Sequence, residues 1–454
     1  MLKKILVDRL GIDSIIFYTI MARALQAIGG LFAIVLIIKY LTKEEQGYYY
    51  TFLSLLSIQL FFELGLSSII VQYVAHEYAH ISDDNLNVID NKKLSKLSEL
   101  LHFFTKWYLM LAALLFVGLM VIGLFFFNKF NSNININWML PWIILSLSTV
   151  LLFIVTFFLA FIEGMGYIEL AAKIRFVQQI VNVITTCLLI FGGAKLYTSG
   201  ISGMCVAVAS IVAMNTKSVR KLLYDVWIVS GEKTFNYKKE IFPYQWRIAI
   251  SWIGGYLIFQ MFNPVLFAFD GAKAAGQMGA TLAILNGIIA LSLSWVSTKI
   301  SVWSRLIALK QYFELNTSFK ATLIQSSFIN FLGLVIFCSA IYFVGPYFPK
   351  IQSRFMSPLL LLLFSSTFLI NNIINCWATY LRCFKKEPFL IQAVVVGILS
   401  ASTTYFLGKY HGISGIVCGY TILTALISLP MSYFIFRYYS IQFTTNNVKK
   451  EIII

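Results

Sequence analysis

Apolar runs long enough to cross a bilayer recur along the whole chain. A helix that spans the roughly 30 Å hydrocarbon core needs about 20 predominantly apolar residues. Twelve runs approach this length, and short polar segments separate them. The pattern predicts an all-α polytopic membrane protein with about twelve transmembrane helices. The predicted spans are residues 14–38, 47–71, 103–127, 138–162, 174–192, 200–216, 244–268, 277–298, 321–344, 358–381, 388–408 and 412–436.

The composition agrees with this interpretation. Of the 454 residues, 59% are hydrophobic and only 12% are charged, whereas about a quarter of the residues in an average soluble domain are charged. An ordinary soluble enzyme, a disordered protein and a disulfide scaffold are therefore excluded. The six cysteines lie in or beside apolar runs and form no CxxC pair, so we interpret them as small apolar residues. We predict no cofactor and no metal.

The positive charges are distributed unequally between the two sides of the predicted spans. If the N-terminus is cytoplasmic, 26 of the 35 Lys and Arg residues fall on the cytoplasmic side, 8 fall outside, and Arg23 lies within a span. Cytoplasmic loops of membrane proteins carry an excess of Lys and Arg. The bias therefore places both termini in the cytoplasm. It also explains the net charge of +16 without a nucleic-acid partner.

The longest connection, residues 217–243, is basic and follows the sixth span. It divides the chain into six spans and six spans, which predicts two six-helix lobes, residues 1–230 and 231–454. Because six is even, both halves enter the membrane in the same orientation. This orientation allows a parallel internal repeat about an axis normal to the membrane.

Two local correspondences support the repeat. Arg23 precedes Gly29-Gly30 in span one, as Arg247 precedes Gly254-Gly255 in span seven. In addition, a basic segment with one apolar face follows span two and another follows span eight, and we expect each to form a helix on the cytoplasmic surface. These segments are residues 92–101, with Leu94, Leu97, Leu100 and Leu101 on one face, and residues 299–314, with Val302, Leu306, Leu309 and Phe313.

Arg23 is the clearest candidate for binding chemistry. It lies about eight residues into span one, roughly 12 Å deep at the rise of an α-helix. An arginine at that depth is costly unless it faces a cavity or a partner. It is therefore a candidate anion contact in an inward-opening cavity, and the alternative is a side chain that reaches back to the surface or forms a structural ion pair. Arg247 is a shallower candidate to which the same alternatives apply.

Three acidic residues lie near the ends of predicted spans. Glu63, Glu163 and Asp270 could bind substrate, relay ions or pair with arginines, and a structural role is the simpler interpretation. Two clusters of amides also fall inside spans, where they could line a hydrated cavity for a hydroxyl-rich cargo or form ordinary interhelical hydrogen bonds. The clusters are Gln178, Gln179 and Asn182 in span five, and Asn371, Asn372 and Asn375 in span ten.

The segment His76-Glu77-Tyr78-Ala79-His80 matches the HExxH pattern. On a helix this spacing places two His side chains on one face, where they can bind zinc, with the Glu as general base. A catalytic zinc also needs a third protein ligand and a shielded pocket. The other histidines are His102 and His411, and Asp83 and Asp84 are immediately adjacent in sequence, so we do not predict a metal site.

The segment from Phe61 to Glu77, FFELGLSSIIVQYVAHE, resembles the end of the second helix of bacterial polysaccharide flippases of the multidrug/oligosaccharidyl-lipid/polysaccharide (MOP) exporter superfamily. The family pattern there is similar to (D/E)xGL…(I/V)Qxx(A/S)HE, which accounts for the His-Glu pair without zinc. Shorter similarities are YLTKEEQGYY at residues 40–49, Phe161–Gly164 and Tyr380–Arg382.

This resemblance implies a V-shaped bundle of two lobes with a central cavity, and transport rather than catalysis. The implied cargo is an undecaprenyl-pyrophosphate-linked oligosaccharide, an O-antigen-like unit of lipopolysaccharide, moved to the periplasmic leaflet of the bacterial inner membrane by alternating access. In the superfamily, basic residues on cavity-lining helices contact the pyrophosphate, and Arg23 fits that role best. Arg247 and Arg382 join the candidate substrate contacts. The implied partners are membrane lipid, a glycan polymerase and a chain-length regulator.

Two other classes of function remain open. A multidrug exporter of the same superfamily would favour acids deep in the spans, where they bind cations and protons, whereas the deepest predicted charge here is Arg23. A membrane enzyme, either a lipid-linked-sugar polymerase or a zinc metalloprotease that uses residues 76–80, is the third class. A polymerase would be expected to carry a substantial outer loop with catalytic residues, and none is apparent.

Overall fold

The computed structural model describes residues 14–63, 65–82, 91–130, 136–229, 250, 253–384 and 387–451. Regular structure within these ranges is helical, as the apolar runs predict. The α-helices are α1 (Ser14–Tyr40), α2 (Lys43–Leu56), α3 (Gln59–Glu63), α4 (Leu66–Ser82), α5 (Asn91–Phe130), α6 (Met139–Gly164), α7 (Ile168–Phe191), α8 (Tyr197–Met214), α9 (Lys217–Ile228), α10 (Phe262–Phe269), α11 (Gly271–Ala308), α12 (Tyr312–Ser339), α13 (Pro349–Gln352), α14 (Pro358–Arg382), α15 (Leu390–Leu423) and α16 (Leu429–Glu451).

Within the described ranges, nine helical stretches are long and apolar enough to cross a bilayer. Eight coincide with predicted spans one, three to six and eight to ten. The ninth, Leu390–Gln442, contains predicted spans eleven and twelve, which a kink at Gly412 separates; its φ of 56° and ψ of −140° suit glycine. The prediction of an all-α multi-pass membrane protein is confirmed.

Predicted span two is a broken helix. It consists of α2, α3 and α4, which contain 14, 5 and 17 residues. Gly65, between α3 and α4, has a φ of 72°, a left-handed conformation that glycine adopts without steric cost. The surrounding sequence stays apolar, so hydropathy alone predicts one continuous span.

The described residues form two compact units. The first comprises those of Met1–Leu41 and Leu55–Trp252, and the second comprises those of Thr42–Ser54 and Ile253–Ile454. The division predicted at residues 230/231 stays a prediction, because residues 230–249 lie outside the described ranges. The segment Thr42–Ser54 comes from the N-terminal half of the sequence but belongs to the second unit.

Hydrogen bonds and close backbone contacts hold Thr42–Ser54 within the second unit. The Gln46 amide donates to the Gly276 carbonyl at 2.8 Å, and the Asn263 amide donates to the Ser54 hydroxyl at 2.9 Å. A Cβ atom at Gly47 would lie 1.9 Å from the Ala272 carbonyl oxygen. This contact therefore requires glycine.

The two segments that we expected to lie on the cytoplasmic surface are instead extensions of spans. Residues 92–101 form the start of the 40-residue helix α5, and residues 299–308 form the end of the 38-residue helix α11. No helix-breaking residue separates either segment from its span. In the first segment Leu97 and Leu100 are 0% and 1% exposed, so its apolar face packs against protein, whereas in the second segment Val302 and Leu309 are 43% and 54% exposed.

Packing supports the internal repeat. Gly29 of α1 packs against α7, where an added Cβ would lie 2.2 Å from Val183 Cγ2. At the corresponding place in the second unit, a Cβ at Gly254 would lie 2.6 Å from the Ala393 carbonyl oxygen of α15. In both pairs the next glycine, Gly30 or Gly255, has nothing within 4 Å of an added Cβ. Spans one and five therefore pack within the first unit in the same way as spans seven and eleven pack within the second.

Candidate functional site

Helix α1 carries a polar row on one face. Thr19, Arg23 and Gln26 are all exposed, and their spacings of four and three residues place them on one side of the helix. Exposed apolar residues, among them Ile28 and Val35, lie on the opposite side. Arg23 therefore does not stand alone in span one but belongs to a polar face.

Helix α7 has the same arrangement. Arg175 and Asn182 are exposed and Gln179 is partly exposed, again at spacings of four and three residues. Ile184 and Leu188 are 52% and 66% exposed and lie on the opposite side of the helix. The periodicity of this row was present in the sequence, but we had identified only its amides as candidates.

The two polar rows open on the same side of the α1/α7 pair. The helices run parallel, because Tyr18 contacts Phe176 near both N-terminal ends (ring centroids 5.8 Å apart) and Tyr40 contacts Phe191 near both C-terminal ends (5.5 Å). At about 100° per residue, the polar row of each helix is rotated about a quarter turn from the face that contacts the other helix. The rotation has the opposite sense on the two helices, so both rows point to the same side of the pair. We call the combined face the α1–α7 polar surface: Thr19, Arg23, Gln26, Arg175, Gln179 and Asn182.

The chemistry of the two exposed sides differs sharply. The apolar side suits lipid, since a span needs no polar partner there. Polar and charged groups in spans are costly against lipid and face a protein interior or a water-filled cavity. The α1–α7 polar surface is therefore the candidate binding surface, with cations for an anion and amides for hydroxyl groups.

Glu163 forms an ion pair at the end of this surface that lies near the N-terminus of α7. Its Oε2 lies 2.5 Å from Arg175 Nη2, and the two side chains are 22% and 48% exposed. Pairing with an arginine was one of the roles expected for Glu163. The sequence did not identify Arg175 as the partner, because the pair crosses the turn between α6 and α7.

The amides of span five divide between two roles. Gln178 donates to the Ser210 hydroxyl of α8 at 2.8 Å, which is an interhelical bond. Asn182 accepts from the Ser202 hydroxyl at 2.8 Å and remains exposed. Asn182 and Gln179 are thus the amides available on the α1–α7 polar surface.

Glu63 lies elsewhere in the first unit. It ends the short helix α3 and accepts a hydrogen bond from the Ser67 hydroxyl at 2.6 Å. This bond bridges the break in span two at Gly65. The contact favours the structural role, and substrate binding by Glu63 stays a prediction.

Asp270 borders a groove of about 620 Å³ in the second unit. Its Oδ2 accepts from the Ile413 backbone N–H at 3.2 Å, beside the kink at Gly412. A Cβ atom at Gly412 would lie 2.3 Å from that oxygen. Asp270 thus holds the kink of α15, and Gln277, Tyr410 and other residues complete the groove.

Of the two remaining predicted arginines, Arg382 lies in the described residues and pairs with a carboxylate. Arg382 Nε lies 3.1 Å from Glu387 Oε1, and both side chains are about half exposed, at 49% and 53%. Arg247 lies outside the described residues. The described site residues therefore divide between the two units, with Arg23, Glu63 and Glu163 in the first and Asp270 and Arg382 in the second, and their roles in substrate binding stay predictions.

The amides of span ten form a buried network. Asn372 is fully buried; its Oδ1 accepts from Ser292 of α11 at 2.9 Å, and its amide donates to Ser326 of α12 at 3.3 Å. Asn330 donates to the same Ser292 hydroxyl at 3.2 Å, and Asn371 donates to the Tyr420 hydroxyl at 3.0 Å. These amides hold helices together, which was the alternative to lining a hydrated cavity.

Another ion pair lies at the start of α2, outside the predicted spans. Glu44 Oε1 is 3.3 Å from Lys273 Nζ. Burial alone would raise the pKa of the Glu44 carboxyl, but hydrogen bonds from its own backbone N–H and from Lys273 outweigh burial. The pKa of Glu44 is therefore lowered, so this carboxyl is charged at neutral pH.

The described residues hold no group of three or more His, Cys, Asp or Glu side chains arranged for a metal ion. The HExxH segment is helical and lies in α4, but the side chains of His76 and His80 are outside the described residues. Glu77 pairs with Lys96 at 2.8 Å, which gives this carboxylate a structural partner.

Solved structures of transporters share this fold. A structure titled as the inward-facing conformation of a multidrug resistance MATE family transporter of the MOP superfamily superposes with a TM-score of 0.60 at 13% identity, over 91% of this chain and 98% of the other. Lipid II flippase MurJ, in an inward closed conformation, gives a TM-score of 0.56 at 14% identity, over 95% and 89%. MATE in a bent conformation gives 0.58 at 11%, over 95% and 96%.

No protein-family model and no curated protein matches the sequence significantly. The structural likeness covers nearly the whole chain, so the chain has the all-helical fold of these solved structures, with which two six-helix lobes are consistent. At 11–14% identity the likeness establishes the fold alone. The cargo must be argued from the residues of this chain.

Proposed function

We propose that the chain is a flippase that moves an undecaprenyl-pyrophosphate-linked oligosaccharide, an O-antigen-like unit of lipopolysaccharide, from the cytoplasmic to the periplasmic leaflet. The observation that carries the proposal is Arg23 on the α1–α7 polar surface, among exposed amides and opposite an apolar face. Such a surface offers a cation to the pyrophosphate and hydrogen-bonding groups to the sugar hydroxyls.

The physical problem of this transport matches the surface. Sugar hydroxyls and phosphate cannot enter hydrocarbon without losing their hydrogen-bond partners, at a cost of several kcal/mol for each group. A polar surface within the span region replaces those partners, while the lipid tail stays in the bilayer. Alternating access then carries the head group across without exposing it to lipid.

Of the proteins that share the fold, one is titled a lipid II flippase and others are titled multidrug transporters. Export of a cationic drug is therefore the second candidate function. It is favoured by the fold alone, whereas the charges of the α1–α7 polar surface favour an anion. Its carboxylate, Glu163, sits at the end near the N-terminus of α7 and is engaged by Arg175.

The proposed setting is the bacterial inner membrane, with both termini cytoplasmic and membrane lipid around the spans. A glycan polymerase and a chain-length regulator would act on the translocated units. We propose no catalytic step for the chain itself. Reporter fusions at Asn131 and Lys350 should give a periplasmic signal, and a cytoplasmic signal at either site would contradict the topology.

The proposal is tested in a strain that lacks the protein, by extracting undecaprenyl-linked oligosaccharides and determining their leaflet. Complete units should accumulate facing the cytoplasm, and surface glycan should be lost. Complete but unpolymerised units in the outer leaflet would instead indicate a polymerase. Unchanged lipid-linked sugars would contradict the flippase and favour drug export.

A further inference from the structure

Arg175 lies on the same open side of the first unit as Arg23. It precedes Phe176, which contacts Tyr18 of α1, and Arg23 is five residues beyond Tyr18. At a rise of 1.5 Å per residue, this offset of six residues separates the two arginines by about 9 Å along the helix pair. Arginine side chains are long enough for both guanidinium groups to approach one ligand from this separation.

We propose that Arg175 is a second anion contact, that Glu163 occupies its guanidinium group in the unloaded protein, and that the cargo displaces Glu163. This inference rests on the proposed function. The cationic end of the α1–α7 polar surface then carries two arginines that bind the anion, Arg23 and Arg175, in place of Arg23 alone. Glu163 then serves as a stand-in for the incoming phosphate.

The chemistry of the cargo supports two arginines. A pyrophosphate diester carries two negative charges, and guanidinium groups bind phosphate oxygens through paired N–H donors. If a single arginine bound the pyrophosphate, one of its two negative charges would have no close cationic partner. The carboxylate of Glu163 presents the same planar pair of acceptor oxygens to Arg175, so the exchange conserves the hydrogen bonds of Arg175.

The location of the Glu163–Arg175 pair makes the exchange feasible. Arg175 is 48% exposed, and pairs exposed to this degree contribute little to stability, about 1 kcal/mol or less. A phosphate that brings two charges can therefore displace a single carboxylate. The exchange requires no helix movement, because only side-chain rotamers change.

The same helix provides a control. Lys173 lies two residues earlier and pairs with Glu169 at 2.8 Å, with 44% of each side chain exposed. Lys173 lies on the opposite side of α7 from the polar row, with its ammonium 5.5 Å from the Tyr18 ring centroid. It therefore matches Arg175 in charge, in pairing and in position along the helix, but not in orientation.

The test measures binding of undecaprenyl pyrophosphate, without sugar, to the full-length protein in nanodiscs. Arg175→Ala should weaken binding by about tenfold or more, as expected for loss of a charged hydrogen bond. Lys173→Ala should leave it unchanged. Glu163→Gln should strengthen binding by up to about fivefold, because the competing carboxylate is gone.

The double variant Glu163→Gln/Arg175→Ala tests whether Glu163 affects binding by competing for Arg175 or through a structural role of its own. It should bind like Arg175→Ala alone, because Glu163 acts only through Arg175. Weaker binding by Glu163→Gln, or equal losses for Arg175→Ala and Lys173→Ala, would overturn the exchange. No binding by the wild-type protein would contradict the proposed cargo, and the inference with it. Thermal midpoints of all variants show whether each protein folds, and Arg175→Lys provides a milder substitution.

Discussion

The two units use similar polar residues inside their predicted spans in opposite ways. In the first unit, Arg23 and Asn182 lie on an exposed face of two packed helices. In the second unit, Asn372 and Ser292 are 0% exposed and bond to each other across helices. A ligand can reach polar groups on an exposed face, whereas the buried groups of the second unit lie inside its core.

The comparison extends to helices that correspond in the repeat. Helix α7 carries Arg175, Gln179 and Asn182, but its counterpart in the second unit, residues 390–408 of α15, contains no charged residue. Its amide, Gln392, is 7% exposed and donates to Ser428 at 3.1 Å. Similar packing thus carries different chemistry, which is why we propose the α1–α7 polar surface of the first unit as the binding surface.

The largest expected effect comes from removing the deepest cation. Arg23→Ala should reduce glycolipid transport by at least about tenfold, the order expected for a lost charge-assisted contact, with protein levels unchanged. The measurement is the amount of lipid-linked glycan in the outer leaflet of complemented cells. Lys39→Ala is the matched control, since Lys39 lies in the last turn of the same helix and its ammonium is 5.4 Å from the Tyr40 ring centroid. If Arg23→Ala transports the glycolipid as well as wild type, Arg23 is not an anion contact.

A pair of amide substitutions tests the contrast between the two units. Asn372→Leu should destabilise the protein by about 1–3 kcal/mol, because Ser292 and Ser326 lose a buried partner. Gln179→Leu should leave stability unchanged but lower transport, since this amide lies on the α1–α7 polar surface. Thermal unfolding of both variants should show the loss of stability in Asn372→Leu, and their transport rates should show the loss of transport in Gln179→Leu at unchanged stability. The reverse pattern would invalidate the comparison.

The glycine pairs test whether the repeat is real at the level of packing. Gly254→Ala and Gly29→Ala should each destabilise by about 1–3 kcal/mol through overpacking. The effect should be larger at Gly254, where the obstacle is a backbone carbonyl rather than a valine methyl. Gly30→Ala and Gly255→Ala have open space and should be neutral or stabilising. Thermal midpoints of the four variants settle the order, and equal midpoints would contradict the repeat.

The smallest effect concerns the segment that joins the second unit from the N-terminal half. The pKa of Glu44 is lowered in the folded protein, so its pair with Lys273 stabilises above the unfolded pKa of about 4.3. That stability, about 1 kcal/mol or less for a partly exposed pair, is lost as pH falls below this value. The thermal midpoints of wild type and Glu44→Gln should differ at pH 7 and converge near pH 3. A difference in thermal midpoint that does not change with pH would show that the Glu44–Lys273 pair is not the cause of that difference.

Much of the fold follows from the sequence because the bilayer imposes strict requirements. A span needs about 20 apolar residues and internal backbone hydrogen bonds, so its existence is visible in hydropathy. The break at Gly65 is not visible, because its neighbours remain apolar. The segment 92–101 was misassigned to the membrane surface because an apolar face looks the same whether it meets lipid or protein.

The candidate site was only partly predictable. Arg23 stood out because a charge inside a span is costly. Arg175 did not, since a cation near the end of a span is also explained by the distribution of charge in cytoplasmic loops. The alternation of polar and apolar faces on α7 was readable from its periodicity. Which amides are open and which are buried depends on neighbouring helices, and periodicity does not reveal it.

The central claim is the nature of the cargo, and transport by the purified protein in liposomes tests it most directly. A fluorescent undecaprenyl-pyrophosphate-linked saccharide and a cationic dye are supplied to the same vesicles. The protein should equilibrate the glycolipid between leaflets, as reported by an impermeant quencher, and should leave the dye gradient unchanged. Movement of the dye with no movement of the glycolipid would contradict the flippase and establish a multidrug exporter instead.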